Sequence, residues 1–127
     1  MTTASGLRRA VGLVAVAFGL LTILSGGMAL FGGERAARAA GDAVPFVLWF
    51  NFAAGFAYVA AGLAIARRHR LARPLALAIA LATLAVFAAF GIAVAGGVPY
   101  EMRTVGAMIL RAGFWLAVAL WLGKTAA

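Results

Sequence analysis

Arg111 is the only charged residue between Arg103 and Lys124, in a stretch otherwise made of alanine, glycine, large aliphatic and aromatic residues with one threonine. An arginine in such a run is a permanent cation with five N–H donors and needs acceptors or a counter-charge. At about 1.5 Å per helical residue it lies on the order of 12 Å from Arg103. Thr22, Ser25 and Asn51 lie at comparable depth in their own apolar stretches. Asn51 shares a helical face with Gly55, Tyr58 and Gly62, by spacings of four, seven and eleven. An arginine with an amide and hydroxyls makes a donor-rich pocket suited to a carboxylate, a phosphate or a quinone carbonyl. Glu101 stands at the mouth as the nearest acid on the same helix, and Glu34 and Asp42 lie in a connection able to fold over it. The candidate ligand-binding set is therefore Arg111, Asn51, Ser25, Thr22, Tyr58 and Glu101. Apart from Glu101 at the mouth, no acid falls inside an apolar stretch, so no general base of evident quality is present, a conventional proton relay is hard to build, and no catalytic residue is assigned.

A purely structural account of the same arginine stands beside this one. Arg111 snorkels toward headgroups, bonds a helix carbonyl, or pairs with Glu101. On an ideal helix it is also roughly 140–160° from Gly106 and Gly113, so arginine and glycines point at different neighbours.

The elements that must position these residues follow from composition. The chain has 127 residues, 66% of them hydrophobic, with a mean hydropathy of +1.08. A soluble domain this short has too little interior to hide that much apolar surface. A membrane-crossing helix needs roughly 20 mostly apolar residues. Four such stretches, about 10–31, 45–66, 74–95 and 99–122, use most of the chain. Pro45, Pro74 and Pro99 each fall where a helix is expected to begin, where a missing N–H costs nothing. Gly32 with Gly33, and Gly96 with Gly97, fall where helices are expected to end. The expectation is a single all-α domain, an integral membrane four-helix bundle, with a polar connection at 34–43. The run from Ala10 is longer than the ~7–15 residues of a signal-peptide core, so it is expected to be retained as the first span.

The net charge of +8 is distributed as a topology signal rather than a nucleic-acid footprint. Arg8, Arg9, Arg67, Arg68, Arg70, Arg73 and Lys124 flank one side of the expected bundle, and Arg35, Arg38 and Arg103 the other. The excess puts the N-terminus, the C-terminus and the 67–70 turn in the cytoplasm. Glu34, Asp42 and Glu101 all fall on the outer side. Phe46, Trp49 and Tyr100 outside, and Trp121 inside, are expected as interface anchors.

Glycines recur every seven residues: Gly12, Gly19, Gly26 and Gly33; Gly55 and Gly62; Gly106 and Gly113. That period keeps one face in register with a left-handed neighbour, and small residues there let backbones approach. His69 is a lone histidine in an arginine-rich turn, and Met28, Met102 and Met108 are loosely spaced. None forms a metal site, and no cysteine offers thiol chemistry.

Two stretches resemble the DoxX-like superfamily of small bacterial membrane proteins. One is Leu7-Arg8-Arg9-Ala10-Val11-Gly12, similar to that family's basic, glycine-bearing start. The other spans 51–73, where a glycine-rich helix meets a basic turn and then an alanine-rich helix. The resemblance implies a four-helix fold in a bacterial cytoplasmic (inner) membrane, and for some members an association with quinol oxidases. Where the family often carries an acid in its second helix, this chain has Asn51. Three functions stay open: a non-catalytic accessory or self-associating subunit, a quinone- or lipid-binding redox component, and a small transporter of an anionic solute. The sequence shows no cofactor motif, although a quinone is compatible with the pocket. Expected partners are the lipid bilayer and a second copy or larger membrane complex.

Overall fold

The computed structural model describes residues 2–125. The described chain is helical throughout apart from short links: α1 (Thr2–Phe31), α2 (Glu34–Ala40), α3 (Pro45–Ala66), α4 (Ala72–Ala95) and α5 (Met102–Thr125). All but α2 are long and apolar enough to cross a membrane, as expected for a small multi-pass membrane protein. They run up and down. One end of the bundle carries Arg8, the α3–α4 turn and Lys124, and is called the basic end below. The other carries α2.

The expected boundaries hold for the end of α1, all of α3 and the end of α4. Elsewhere the structure differs. α1 begins well before Ala10, because hydropathy marks where lipid contact starts and not where helical hydrogen bonding does. The connection at 34–43 is largely a short helix, α2, that buries none of its side chains. Pro99 stands ahead of α5, in an irregular link running to Glu101, whose carboxylate accepts the Asp42 N–H just beyond α2.

α1 and α3 are zipped along glycines. A β-carbon at Gly12 would sit 2.5 Å from the Gly62 carbonyl oxygen, and one at Gly19 would sit 2.7 Å from that of Gly55. Gly26 faces Phe52. Backbones this close gain dispersion contacts that lipid cannot supply. The expected seven-residue seam is therefore present on α1 and α3. It is absent from α5, where Gly106 and Gly113 are exposed and meet no neighbour. Gly33 has left the helix, with φ +89°.

α4 packs on both α3 and α5. Its small buried face, Ala72, Ala76 and Ala80 with Ile79, meets Ile65, Trp115, Ala119 and Leu122 in the main core. A second cluster of Val44, Val47, Phe90 and Met108 sits toward the α2 end. The bundle closes between α5 and α1 with no close backbone approach. That seam is bridged by side chains alone.

Candidate functional site

The bridge across the α1–α5 seam is Arg111. Thr22, Ser25 and Phe18 occupy one face of α1 by spacings of four and three, and that face meets α5. The Arg111 Nη1 donates to the Thr22 hydroxyl at 2.8 Å and reaches the Tyr58 hydroxyl at 3.5 Å. Its guanidinium carbon lies 5.2 Å from the Phe18 ring centroid and 5.9 Å from that of Tyr58. Cation–π contacts of this kind contribute about 2 kcal/mol when desolvated, and a hydrogen bond to a charged group about 1.5–3 kcal/mol. Insertion scales put the cost of an arginine at the centre of a spanning helix at about 2.5–3.5 kcal/mol. Aromatic faces and hydroxyls thus hold the cation in place without cancelling its charge.

The aromatic frame is closely packed. Tyr58 and Trp115 are fully buried with ring centroids 5.1 Å apart. Phe18 packs edge-on to Phe114 at 5.4 Å and lies tilted on Tyr58 at 5.1 Å. Three polar atoms in this region are buried without a hydrogen-bond partner: Arg111 Nε, Asn51 Oδ1 and Trp115 Nε1. Buried polar groups are nearly always satisfied, and Arg111 and Asn51 line one cleft, so their two orphaned atoms mark a place for a ligand or water.

Arg111 sits at the junction of two hollows. Toward the α2 end a cleft of about 240 Å³ is lined by Thr22, Ser25, Asn51, Glu101, Arg103 and Arg111, with small and aliphatic residues between them. On the bundle's flank a second hollow of about 420 Å³ is bounded by Phe18, Leu21, Thr22, Leu24, Ser25 and Arg111. Leu21 and Leu24 are 65% and 63% exposed, so this hollow opens sideways. Farther along the same seam an apolar groove of about 410 Å³ runs between Leu7, Val11 and Val14 on α1 and Phe114, Val118 and Trp121 on α5.

A polar clasp forms the rim at the α2 end. Glu101 accepts the backbone N–H of Asp42 at 2.8 Å, and Arg103 Nη2 donates to the carbonyls of Ala39 and Ala40, each at 3.2 Å. The two clasp side chains pair with each other at 3.5 Å. Gly41 is required beneath them: its φ is +62°, and a β-carbon there would press on the Glu101 carboxylate at 2.6 Å. Arg103 also meets the carbonyl end of α2, where a cation is favoured.

Five of the six candidate residues, all but Tyr58, line the cleft, and Tyr58 reaches Arg111 from the core. Glu101 is not the partner of Arg111. It is committed to Arg103 and the α2–α3 link. Of the acids expected to fold over the site, Asp42 meets it only through its backbone. The apparent conflict between Arg111 and the glycines of α5 resolves: the arginine faces the seam and Gly106 and Gly113 face outward. Phe18 and Trp115 were missed. Phe18 stands four residues before Thr22 and Trp115 four after Arg111, a signal that was present in the spacing. Among the described residues no group of three His, Cys, Asp or Glu comes together as a metal site.

No protein-family model, curated protein or solved structure matches this chain.

Proposed function

We propose that this protein is a non-catalytic membrane protein that binds an amphiphile in the α1–α5 seam, with a quinone or a lipid as the ligand class. The head offers a carbonyl, carboxylate or phosphate oxygen to Arg111, and the tail lies along the apolar groove beyond the Phe18–Phe114 pair. The observation that carries this reading is the Arg111 guanidinium, bonded to Thr22, matched by no carboxylate among the described residues, and opening into a hollow on the bundle's flank. Asn51 adds an amide on the cleft side.

The test uses Trp115, whose ring lies on Tyr58 beside the arginine. In a Trp49→Phe, Trp121→Phe background, a short-tailed benzoquinone added to the reconstituted protein quenches Trp115 fluorescence saturably. Arg111→Leu abolishes the saturable component. Undiminished saturable quenching in that variant removes the reading.

We further assign the basic end to the cytoplasm on the arginine count, and the chain to a bacterial inner membrane on its likeness to the DoxX-like superfamily. The seven-residue glycine period favours left-handed packing of α1 on α3. A cysteine placed in the 67–70 turn is expected to resist an impermeant label applied from the periplasm.

A second reading, a subunit that docks on a second copy or a larger complex, is favoured by one observation. Gly106 and Gly113 present an open small-residue face on α5. Gly106→Leu with Gly113→Leu is expected to break such an assembly in mild detergent. A chain that is monomeric before substitution eliminates it.

A further inference from the structure

The basic end holds a second cleft, which the amphiphile reading does not use. It measures about 250 Å³ and is walled by Arg8 of α1, Arg68, His69 and Arg70 of the α3–α4 turn, and Arg73 of α4. Its floor is Ala72 and Leu122, 2% and 1% exposed. Four arginines from three segments of chain converge there. Arg8 and Arg68, sixty residues apart in the sequence, line the same cleft.

The local backbone holds these cations together instead of letting them spread. His69 Nδ1 accepts the Leu71 N–H at 3.1 Å, which closes the turn on itself. Arg68 sits in the left-handed region with φ +57°, a conformation that arginine adopts at a cost. Arg73 lies against Gly123 of α5, where a β-carbon would stand 2.9 Å from its Nε. Arg67 belongs to the same turn yet lies outside the cleft. A topology signal needs only charge near the membrane surface and has no use for this convergence.

We propose that this cleft is a binding site for a phosphate group, presented either by an anionic phospholipid at the membrane surface or by a phosphate in solution. A carboxylate brings two oxygens and a single negative charge to a cleft walled by four arginines. A phosphate offers more acceptor oxygens and up to two charges, and guanidinium groups match it in bidentate geometry. The floor of Ala72 and Leu122 gives the anion a wall of low polarity, where its attraction to the arginines is less screened than in bulk water.

The full chain, reconstituted in phosphatidylcholine nanodiscs, is tested in two arms. Inorganic phosphate is titrated by calorimetry, and phosphatidate carried in the disc is counted by native mass spectrometry. One saturable site per chain is expected in at least one arm. A response to phosphatidate alone identifies a lipid headgroup, to inorganic phosphate alone a soluble ligand, and to both the phosphate group itself. Arg70→Gln and Arg68→Gly each weaken binding by about tenfold, the scale of one charge-assisted hydrogen bond, while Arg67→Gln leaves it unchanged. Arg68→Gly relieves the left-handed strain, so its loss of binding is not a loss of folding, and its unfolding temperature checks that. Absence of saturable binding in both arms overturns the proposal. So does an Arg67→Gln effect as large as that of Arg70→Gln, which would show attraction to charge at large.

Discussion

Arg68 occupies after α3 the backbone position that Gly97 occupies after α4. Both have positive φ, 57° and 98°. In each case the following N–H reaches back into the helix, His69 to the Ala64 carbonyl at 2.8 Å and Val98 to that of Ala93 at 3.1 Å. The residue itself bonds a nearer carbonyl, Ile65 at 3.1 Å or Val94 at 3.0 Å. This paired arrangement strongly favours glycine. Arg68→Gly is therefore expected to stabilise the protein by about 0.5–1 kcal/mol, read as a higher denaturation midpoint in an SDS titration. A lower midpoint means that the arginine side chain contributes more to folding than its backbone costs.

The glycine seam discriminates by position. Gly62→Ala places a β-carbon 2.6 Å from the Gly12 carbonyl oxygen. It should destabilise by about 1–3 kcal/mol, as overpacking does. Gly113→Ala meets nothing within 4 Å and should leave the midpoint within about 0.5 kcal/mol, or raise it through helix propensity. Equal losses for the two would mean that the exposed face of α5 is covered in the folded protein.

Stability and binding should separate at Asn51. Its buried Oδ1 lacks a partner, and replacing an unsatisfied group by an apolar one of similar size removes a desolvation cost of about 1 kcal/mol or more. Asn51→Leu should raise the denaturation midpoint and weaken the saturable quinone quenching of Trp115. Thr22→Val, which removes the 2.8 Å acceptor of Arg111, should lower both stability, by about 1.5–3 kcal/mol, and binding. An Asn51→Leu protein that binds as the parent does would take the amide out of the site.

The clasp has a local readout. α2 buries no side chain, so its docking rests on Glu101, Arg103 and the links that join it to α1 and α3. Glu101→Gln should speed hydrogen exchange at the Asp42 amide and along α2, with the core amides of α3 and α5 unaffected. The exposed Arg103–Glu101 pair contributes no more than about 1 kcal/mol, so global stability should barely move. Unchanged exchange in α2 would assign its order to the short links instead.

Four spans and the rim-to-core depth of Arg111 were legible because lipid imposes a length and forbids stray charge. The meeting of Thr22, Asn51 and Arg111 in one layer followed from counting residues along helices of known rise. What hydropathy did not encode was azimuth. The α5 glycines share the period of those on α1, yet a repeat states which residues share a face and not what that face meets. The link at 98–101 and the α2 helix were likewise hidden, since their order comes from Glu101 and Arg103 reaching about sixty residues back along the chain. The basic end read as one charge cluster. Arg8 joins Arg68, Arg70 and Arg73 there while Arg67 stays out, a selection that counting charges does not make.

A hollow that opens on the flank of the bundle has a practical corollary for measurement. A guest reaching Arg111 past Leu21 and Leu24 arrives by diffusing within the leaflet, so occupancy follows the guest's mole fraction among the lipids. Its concentration in the surrounding buffer enters only through partitioning. Adding empty vesicles that fuse with the sample should drain the seam at constant aqueous volume, and affinities quoted in molar units would differ between preparations that differ only in lipid-to-protein ratio.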